Sequence, residues 1–146
     1  MNPPMTYSKS GLALTESFEG CKLTSYLDIR GVPTIGWGHT GPDVKVGQVI
    51  TQAEADALLA EDTQFAVHCV NNAVTVQLTQ PEFDALVDFV YNVGCGAFAS
   101  STMLRLINEG DAVAAAEQFD VWDWAGGVKV AGLLRRRQAE SREFES

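Results

Sequence analysis

The chain has 146 residues, of which 46% are apolar and 20% charged, and this balance is typical of one compact globular domain. Its 10 basic and 19 acidic residues give a net charge of −9, which argues against nucleic-acid binding because phosphate neutralisation needs a basic face. No apolar run approaches the roughly 20 residues of a membrane span, and the opening segment MNPPMTYSKSG has the pattern of neither a signal peptide nor an anchor.

The first predicted element is a helix over residues 8–19. Three apolar residues at helical spacing supply its buried face: Leu12, Leu14 and Phe18. Gly20 is a stop signal, so the helix ends at Glu19, where a carboxylate is unfavourable next to the negative end of the helix dipole. An acid at this position indicates either a neighbouring cation or a functional need.

Residues 22–50 change character and predict strands. The segments KLTSYLD, VPTIGW and VKVGQVI are rich in residues that favour strands, and the turn signals IRG and GHTGPD separate them. We expect a small antiparallel sheet of two or three strands. So few strands are marginal by themselves and must pack on helices.

The remainder of the chain is predicted to be helical. Two capping boxes, TQAE at 51–54 and TQPE at 79–82, mark helix starts. The predicted helices cover residues 51–72, 79–93, 101–109, 111–119 and 132–144. The fold class is therefore α+β in a single domain over residues 1–146. A sheet lobe over about 20–50 and a larger helical lobe over about 51–146, which also takes the first helix, are expected to leave a ligand cleft between them.

Three cysteines are an odd and sparse count, which does not indicate a disulfide framework. We expect reduced thiols, as in a cytoplasm. A Cys69–Cys95 bridge between helices stays open, and Cys21 is interpreted as a packing residue. His39 and His68 lie far apart, and no Cys or His pair has ligand spacing, so no metal site and no cofactor are predicted.

Glu19, Asp28 and Thr34 are the residues whose chemistry points to a function. Hydrolysis of a glycosidic bond needs one carboxyl group that donates a proton to the leaving oxygen and a second that stays ionised and activates water or attacks the sugar. Glu19 is the candidate donor, Asp28 beside a turn is the candidate for the ionised group, and the Thr34 hydroxyl can hold a water against Asp28. Two carboxylates in a chain of this length do not establish that reaction by themselves.

The sequence E-x8-D-x5-T followed by I-G-W-G-H resembles the phage T4-type lysozymes, glycoside hydrolase family 24. The resemblance continues in YNVGCGAFASSTMLRLINEGD (91–111) and in WAGGVKVAGLLRRRQAE (124–140), a pattern similar to that of the lambdoid phage endolysins. It covers about residues 8–144. It implies a lysozyme-like fold and a muramidase that hydrolyses the β-1,4 bond between N-acetylmuramic acid and N-acetylglucosamine of peptidoglycan.

The resemblance also implies roles for single residues. Glu19 is expected to be the general acid, Asp28 to position or activate the water, and Thr34 to help hold it. Arg136 or Arg137 of the last helix is expected to pair with the catalytic acid.

The resemblance also implies roles for positions outside the catalytic set. Tyr91, Asn92 and Ser101 correspond to positions that line the cleft and contact substrate in the family. His39 has a family counterpart that serves structure through an ion pair. Three tryptophans are able to stack on sugar, although core packing is the favoured interpretation for each: Trp37, Trp122 and Trp124.

As an endolysin, the protein is expected to be a monomer that acts on the peptidoglycan glycan strand for host lysis and phage release. It would wait in the host bacterial cytoplasm until a holin opens the membrane and would then reach the periplasm and the cell wall. The charge of −9 is unusual beside the basic members of the family and disfavours electrostatic attraction to an anionic wall.

Two alternatives remain open from the sequence. A lytic transglycosylase would cleave the same bond without water and needs only Glu19, so the presence of Asp28 and Thr34 disfavours it. A catalytically inactive wall-binding or tail-associated domain would tolerate loss of the three residues, all of which are present.

Overall fold

The computed structural model describes residues 2–146, which divide into two units. One unit comprises Leu12–Gln64, and the other comprises residues 2–11 together with Phe65–Ser146. This division groups most of the first helix and the helix after the sheet with the strands, whereas the sequence analysis assigned both helices to the helical lobe. A single catalytic domain over the whole chain stays a prediction.

The first unit contains the sheet. Its elements, in chain order, are helix α1 (Lys9–Phe18), strands β1 (Lys22–Leu27), β2 (Pro33–Gly36) and β3 (His39–Thr40), and helix α2 (Gln52–Asp62). The strands are antiparallel in the order β1-β2-β3, with Thr34 opposite Tyr26 on one side and Thr40 on the other. The first helix and the first two predicted strands are therefore confirmed. The prediction for VKVGQVI is wrong, because that segment forms only an isolated bridge, between Val49 and Thr24. The third strand, β3, lies instead in GHTGPD, which the sequence predicts to be a turn.

The sheet packs on α2 through a small apolar core. Ile35 of β2 and Ala55 of α2 are almost completely buried in it, together with Val44 and Ile50. Gly36 has a φ of +65°, and a Cβ added there would lie 3.3 Å from the Cβ of Ala55. Glycine thus allows the strand to approach the helix closely.

The second unit is almost entirely helical. Its elements are α3 (Gln64–Ala73), α4 (Gln80–Val93), α5 (Cys95–Ala99), α6 (Thr102–Asn108), α7 (Ala112–Glu117), a 3₁₀ turn (Phe119–Val121), strands β4 (Trp124–Ala125) and β5 (Val128–Lys129), and α8 (Ala131–Glu145). Helix α4 is the centre of this unit, because every residue from Phe83 to Val90 is buried. A helix that is buried on all sides belongs in the middle of a core rather than at its surface.

Both capping boxes are confirmed. Thr51 accepts the backbone N–H of Glu54 and Thr79 accepts that of Glu82, and each glutamate side chain bonds back to the cap residue. The prediction of one helix over residues 51–72 is wrong, because α2 ends at Asp62. Thr63, between α2 and α3, donates its hydroxyl to the carbonyl of Ala60, and this local bond competes with the regular ladder.

Three further predictions need correction. The helix predicted over residues 111–119 ends at Glu117, and a 3₁₀ turn follows it. Helix α5 and the β4–β5 hairpin were not predicted. The expectation of reduced thiols is wrong for two cysteines, because Cys69 of α3 and Cys95 of α5 form a disulfide. Cys21 is free and packs against the apolar core of the sheet unit, as expected.

Among residues 2–146, none of the helices is long and apolar enough to cross a membrane.

Candidate active site

Glu19 directly follows α1 in the first unit. Its backbone N–H donates to the carbonyl of Thr15 at 3.1 Å, so the residue continues the helical hydrogen bonding by one position. Its side chain is half-buried. A Cβ added to Gly38 would lie 3.9 Å from Oε2 of Glu19, so the carboxyl group lies against the turn between β2 and β3. The absence of a side chain at Gly38 leaves that space open.

Asp28 follows β1 and is fixed by backbone donors. Its Oδ1 accepts the N–H of Arg30 at 2.8 Å and the N–H of Val32 at 2.9 Å. Its own N–H donates to the Val32 carbonyl at 3.0 Å. The Val32 N–H is the largest influence on this group and holds the pKa of Asp28 below its usual range; burial opposes this, and Arg30 adds to it. Asp28 therefore stays ionised to a lower pH than an ordinary aspartate.

The Asp28 turn was not recognised in detail from sequence, although the signal is present. Asp followed by Gly three residues later, in DIRG, is a typical pattern for an aspartate that bonds the backbone two residues ahead. The guanidinium of Arg30 also lies 3.4 Å from Oδ2 of Asp28. Its side chain is 78% exposed, so this contact contributes little compared with the backbone donors.

Thr34 is buried in β2, and like Asp28 it forms hydrogen bonds with the backbone of Val32. Its Oγ1 donates to the Val32 carbonyl at 2.9 Å. A hydroxyl has one proton and two lone pairs, so this bond uses the proton and leaves Oγ1 as an acceptor. Asp28 and Thr34 are thus two acceptors that are tied to the same peptide segment.

His39 in β3 has a structural environment. Nδ1 lies 2.7 Å from Oδ2 of Asp62, and Nε2 lies 3.0 Å from Oδ2 of Asp43. Burial alone lowers the pKa of His39, but the hydrogen bonds to the two carboxylates and their charges together raise it above its ordinary value. The ion pair that the family resemblance implies for this histidine is present, and it has two partners rather than one.

Arg136 and Arg137, which the sequence analysis assigned to the catalytic acid, are buried on α8 and have carboxylate partners in the second unit. Arg136 donates through Nε and Nη2 to the two carboxylate oxygens of Asp88, at 3.0 and 2.8 Å. Arg137 donates through Nη2 to Oε2 of Glu140 at 3.0 Å. Support of Glu19 by either arginine stays a prediction.

The four groups form a buried cluster of two cations and two acids. Burial, followed by the hydrogen bond to Asp88 and its charge, raises the pKa of Glu140 well above the ordinary value, and the two arginines only partly oppose this. Burial also lowers the pKa of Arg137. The cluster joins α4 to α8 at the centre of the second unit.

The candidate substrate contacts Tyr91, Asn92 and Ser101 also lie in the second unit. Tyr91 is half-buried, with its ring 6.0 Å from that of Phe65, and Asn92 is exposed. Ser101 caps α6, because its Oγ accepts the Leu104 N–H at 3.0 Å and donates to a backbone carbonyl. That serine has a structural role, and contact of any of the three with substrate stays a prediction.

Within residues 2–146, no group of three or more His, Cys, Asp or Glu side chains is arranged to hold a metal ion.

The three tryptophans differ from one another in how they pack. Trp37 and Trp122 pack against the two apolar cores, as expected, whereas Trp124 is 55% exposed, so core packing is the wrong interpretation for it.

Solved structures resemble this fold over nearly all of the chain. The endolysin from Escherichia coli O157:H7 phage FAHEc1 has a TM-score of 0.91 and 38% identity, covering 99% of this chain and 96% of that one. The muramidase domain of SpmX from Asticaccaulis excentricus has a TM-score of 0.88 and 39% identity, covering 97% of this chain and 98% of that one. The class of protein is therefore lysozyme-like α+β, with a small antiparallel sheet and a larger helical part.

Sequence comparison gives the family. The endolysin of Bacillus phage PZA is 46% identical to this chain, and the match covers 97% of this chain and 56% of that endolysin. The chain thus spans about half the length of this relative. The family model that describes phage lysozymes matches residues 16–140. Since that match covers most of the sequence, the chain belongs to the phage lysozyme family.

Proposed function

We propose that the protein is an endolysin with muramidase activity, of the T4-type branch in glycoside hydrolase family 24. It hydrolyses the β-1,4 bond between N-acetylmuramic acid and N-acetylglucosamine in peptidoglycan, for host lysis and phage release. The observation that carries this proposal is the different setting of two carboxyl groups in one unit. Asp28 is held ionised by two backbone N–H groups, whereas Glu19 lies half-buried against the turn at Gly38.

Glu19 is the general acid in this proposal. It donates a proton to the glycosidic oxygen as that oxygen leaves the sugar. Gly38 leaves space beside its Oε2, where a larger side chain would crowd the approach of a saccharide. The name of one structural relative, a muramidase domain, supports the same bond specificity.

Asp28 and Thr34 handle the water. The Thr34 proton is already given to the Val32 carbonyl, so Oγ1 accepts from a bound water rather than donating to it. Asp28, being ionised, is also an acceptor. A water that donates one proton to the Asp28 carboxylate and the other to Oγ1 of Thr34 turns its lone pairs away from both groups and towards the anomeric carbon. Attack by such a water, on the face opposite the leaving group, inverts the configuration of the sugar.

The path to the substrate is part of the proposal. The protein waits as a monomer in the host cytoplasm until a holin permeabilises the membrane, and it then acts on the wall from the periplasm. The Cys69–Cys95 disulfide supports work in the second compartment, because such bonds persist in oxidising environments such as the bacterial periplasm.

Mass spectrometry of the muropeptides released from purified peptidoglycan tests the function directly. Digestion in ¹⁸O-labelled water is expected to give reducing-end N-acetylmuramic acid that carries the heavy oxygen. Glu19→Gln is expected to abolish release while the melting curve stays that of the wild-type protein. Anhydro-muramic ends without label would identify a transglycosylase, and binding without any release by the folded protein would identify an inactive wall-binding domain.

A further inference from the structure

Trp124 differs from the other two tryptophans in belonging to neither of the two apolar cores. Nε1 of Trp37 donates to Asp56 at 2.9 Å, and the Trp122 ring packs edge-on against Phe89, with centroids 5.5 Å apart. Trp124 lies in β4 and is 55% exposed. Large aromatic side chains contribute most when buried, so an exposed indole that no core explains is a candidate contact for a ligand.

The backbone holds Trp124 beside a cation. Trp124 and Lys129 are directly opposite each other in the β4–β5 pair, so their side chains share one face of the hairpin. Nζ of Lys129 lies 5.6 Å from the centre of the indole ring. Gly126 and Gly127 have φ values of +57° and +79°, as a two-residue type I′ turn requires. The Trp124–Lys129 pair is therefore fixed by the hairpin register.

The hairpin segment itself carries only cationic charge in an acidic protein, and Asp123 directly precedes it. Residues 124–135 contain Lys129 and Arg135 and no acidic residue, whereas the whole chain has a charge of −9. Over residues 2–146, Lys129 forms no ion pair, and its cationic group contacts the indole instead. A free ammonium group in this setting is complementary to a carboxylate that comes from outside the protein.

We propose that Trp124 and Lys129 form a binding surface for a sugar that carries a carboxylate within the peptidoglycan strand. The apolar face of a pyranose ring packs on the indole, and the ammonium group of Lys129 binds the carboxylate. This inference rests on the proposed function and extends it by naming two substrate-binding residues. In a peptide-bearing strand the carboxylate is that of the stem peptide, and in a peptide-stripped strand it is the lactyl group of N-acetylmuramic acid.

Binding to three glycans, measured in the Glu19→Gln background to prevent cleavage, tests the proposal. The glycans are peptide-bearing strands, peptide-stripped strands and uncharged N-acetylglucosamine oligomers. Trp124→Ala is expected to weaken binding to all three by roughly 3- to 10-fold, as loss of an aromatic contact does, while Trp124→Phe retains most of it. Lys129→Gln is expected to weaken binding to the two charged glycans and to leave the uncharged oligomers unaffected. If Lys129→Gln weakens binding only to the peptide-bearing strands, the carboxylate is that of the stem peptide. If it weakens binding only to the peptide-stripped strands, the carboxylate is that of the lactyl group.

Val128→Ala is the matched control, because Val128 lies in the same hairpin, is 64% exposed and pairs with Ala125 on the other face. Its binding is expected to equal that of the parent. The proposal is overturned if Trp124→Ala binds like the parent, if Val128→Ala weakens binding equally, or if the parent binds none of the glycans. In the active protein, Trp124→Ala should raise KM and leave kcat unchanged.

The two proposals fail in different experiments. If the wild-type protein releases no sugar but binding depends on Trp124, the muramidase proposal is wrong and the binding surface stands. If the wild-type protein cleaves peptidoglycan and Trp124→Ala has the same KM and affinity, the binding surface is wrong and the muramidase proposal stands.

Discussion

The carboxylate of Asp28 accepts the backbone N–H of Val32 at 2.9 Å, and this contact fixes both its position and its charge state. The N–H of Arg30 provides a second donor to the same oxygen. Together they make Asp28 part of the turn between β1 and β2, and they lower its pKa. The group that is proposed to orient water is therefore also a structural element of the turn.

Because Asp28 has both roles, two substitutions distinguish the effect of its negative charge on activity from the effect of its hydrogen bonds on stability. Asp28→Asn keeps an oxygen acceptor for both N–H donors but removes the negative charge. We expect kcat to fall by about 10²- to 10⁴-fold, as for loss of a general base, while the melting temperature stays near that of the wild-type protein. Asp28→Ala loses the same activity and also lowers the melting temperature. Full activity of Asp28→Asn in a muropeptide-release assay would contradict the role of its charge.

Thr34 allows a second test, because its hydroxyl is proposed to accept a proton from water. Thr34→Val keeps the shape of the buried side chain and removes the oxygen, whereas Thr34→Ser keeps the oxygen. We expect Thr34→Val to lose most of kcat and Thr34→Ser to retain most of it. Thr34→Val also removes one of the two donors to the Val32 carbonyl, which still accepts the Asp28 N–H, so the free energy of unfolding in a urea titration is expected to fall by at most about 1 kcal/mol. Equal activity of the two variants would remove Thr34 from the mechanism.

The local parts of the fold were readable from sequence. The capping boxes at Thr51 and Thr79 are formed by residues three apart, so their pattern contains the whole interaction. The strands around Asp28 and Thr34 follow from turn signals and strand-favouring residues. Elements of this kind depend on neighbours in the chain, and a single sequence shows those neighbours.

Elements that depend on distant contacts were not readable. The pairing of Arg136 with Asp88 joins residues 48 apart, and nothing in either neighbourhood specifies the other. The hairpin at Gly126 had a signal, because Gly-Gly between two short apolar segments is typical of a type I′ turn. Strands of two residues are too short to show alternation, so the hairpin and the exposure of Trp124 appear only in the structure.

His39 predicts a pH dependence of stability. Its pKa is higher in the folded protein than in an unfolded chain, so the folded state binds more protons. The stability that His39 contributes is fully present below its ordinary pKa of about 6.5 and is lost as the pH rises through the raised folded value. We therefore expect His39→Gln to lower the melting temperature more at pH 5.5 than at pH 9.

The two carboxylate partners of His39, Asp43 and Asp62, contribute to the pH dependence of stability in different directions. The hydrogen bond to His39 lowers the pKa of Asp43, so its contribution disappears only at acid pH. Burial raises the pKa of Asp62, so ionisation of this group lowers the free energy of unfolding as the pH rises. His68→Gln is the control, because His68 is exposed on α3 and should give the same small change at both pH values. A pH-independent effect of His39→Gln would contradict the ion-pair interpretation.

The buried cluster at Asp88 predicts a large effect on stability. Asp88→Ala leaves the guanidinium of Arg136, which is 6% exposed, without its bidentate partner. Removing one member of a buried ion pair typically costs about 3–5 kcal/mol. Oε2 of Glu140, 3.8 Å from Nε of Arg136, still compensates part of the charge, so we expect the lower end of that range. Glu109→Ala is the matched control, since the Arg105–Glu109 pair is similarly close at 2.9 Å but is more than half exposed. Its removal is expected to change the free energy of unfolding by less than about 1 kcal/mol.

The Cys69–Cys95 disulfide predicts that the protein is stabilised by oxidation. It connects α3 to the five-residue helix α5 across a sequence separation of 26 residues. A loop of this length restricts the unfolded chain enough to contribute about 3.5 kcal/mol on the chain-entropy estimate. Thiol titration of the denatured protein is expected to find one free cysteine without reductant, Cys21, and three after reduction.

The same bond has a consequence for substrate binding, because Tyr91 and Asn92 precede Cys95 in the chain and Ser101 follows it. Reduction is expected to loosen α5 and the segments on either side of it, and therefore to raise KM if these residues contact the glycan. A double Cys69→Ser, Cys95→Ser variant should show the reduced behaviour with or without reductant, and Cys21→Ser should respond like the wild-type protein. If reduction lowers the melting temperature and leaves KM unchanged, the bond serves stability alone, and Tyr91, Asn92 and Ser101 lose their proposed place in substrate binding.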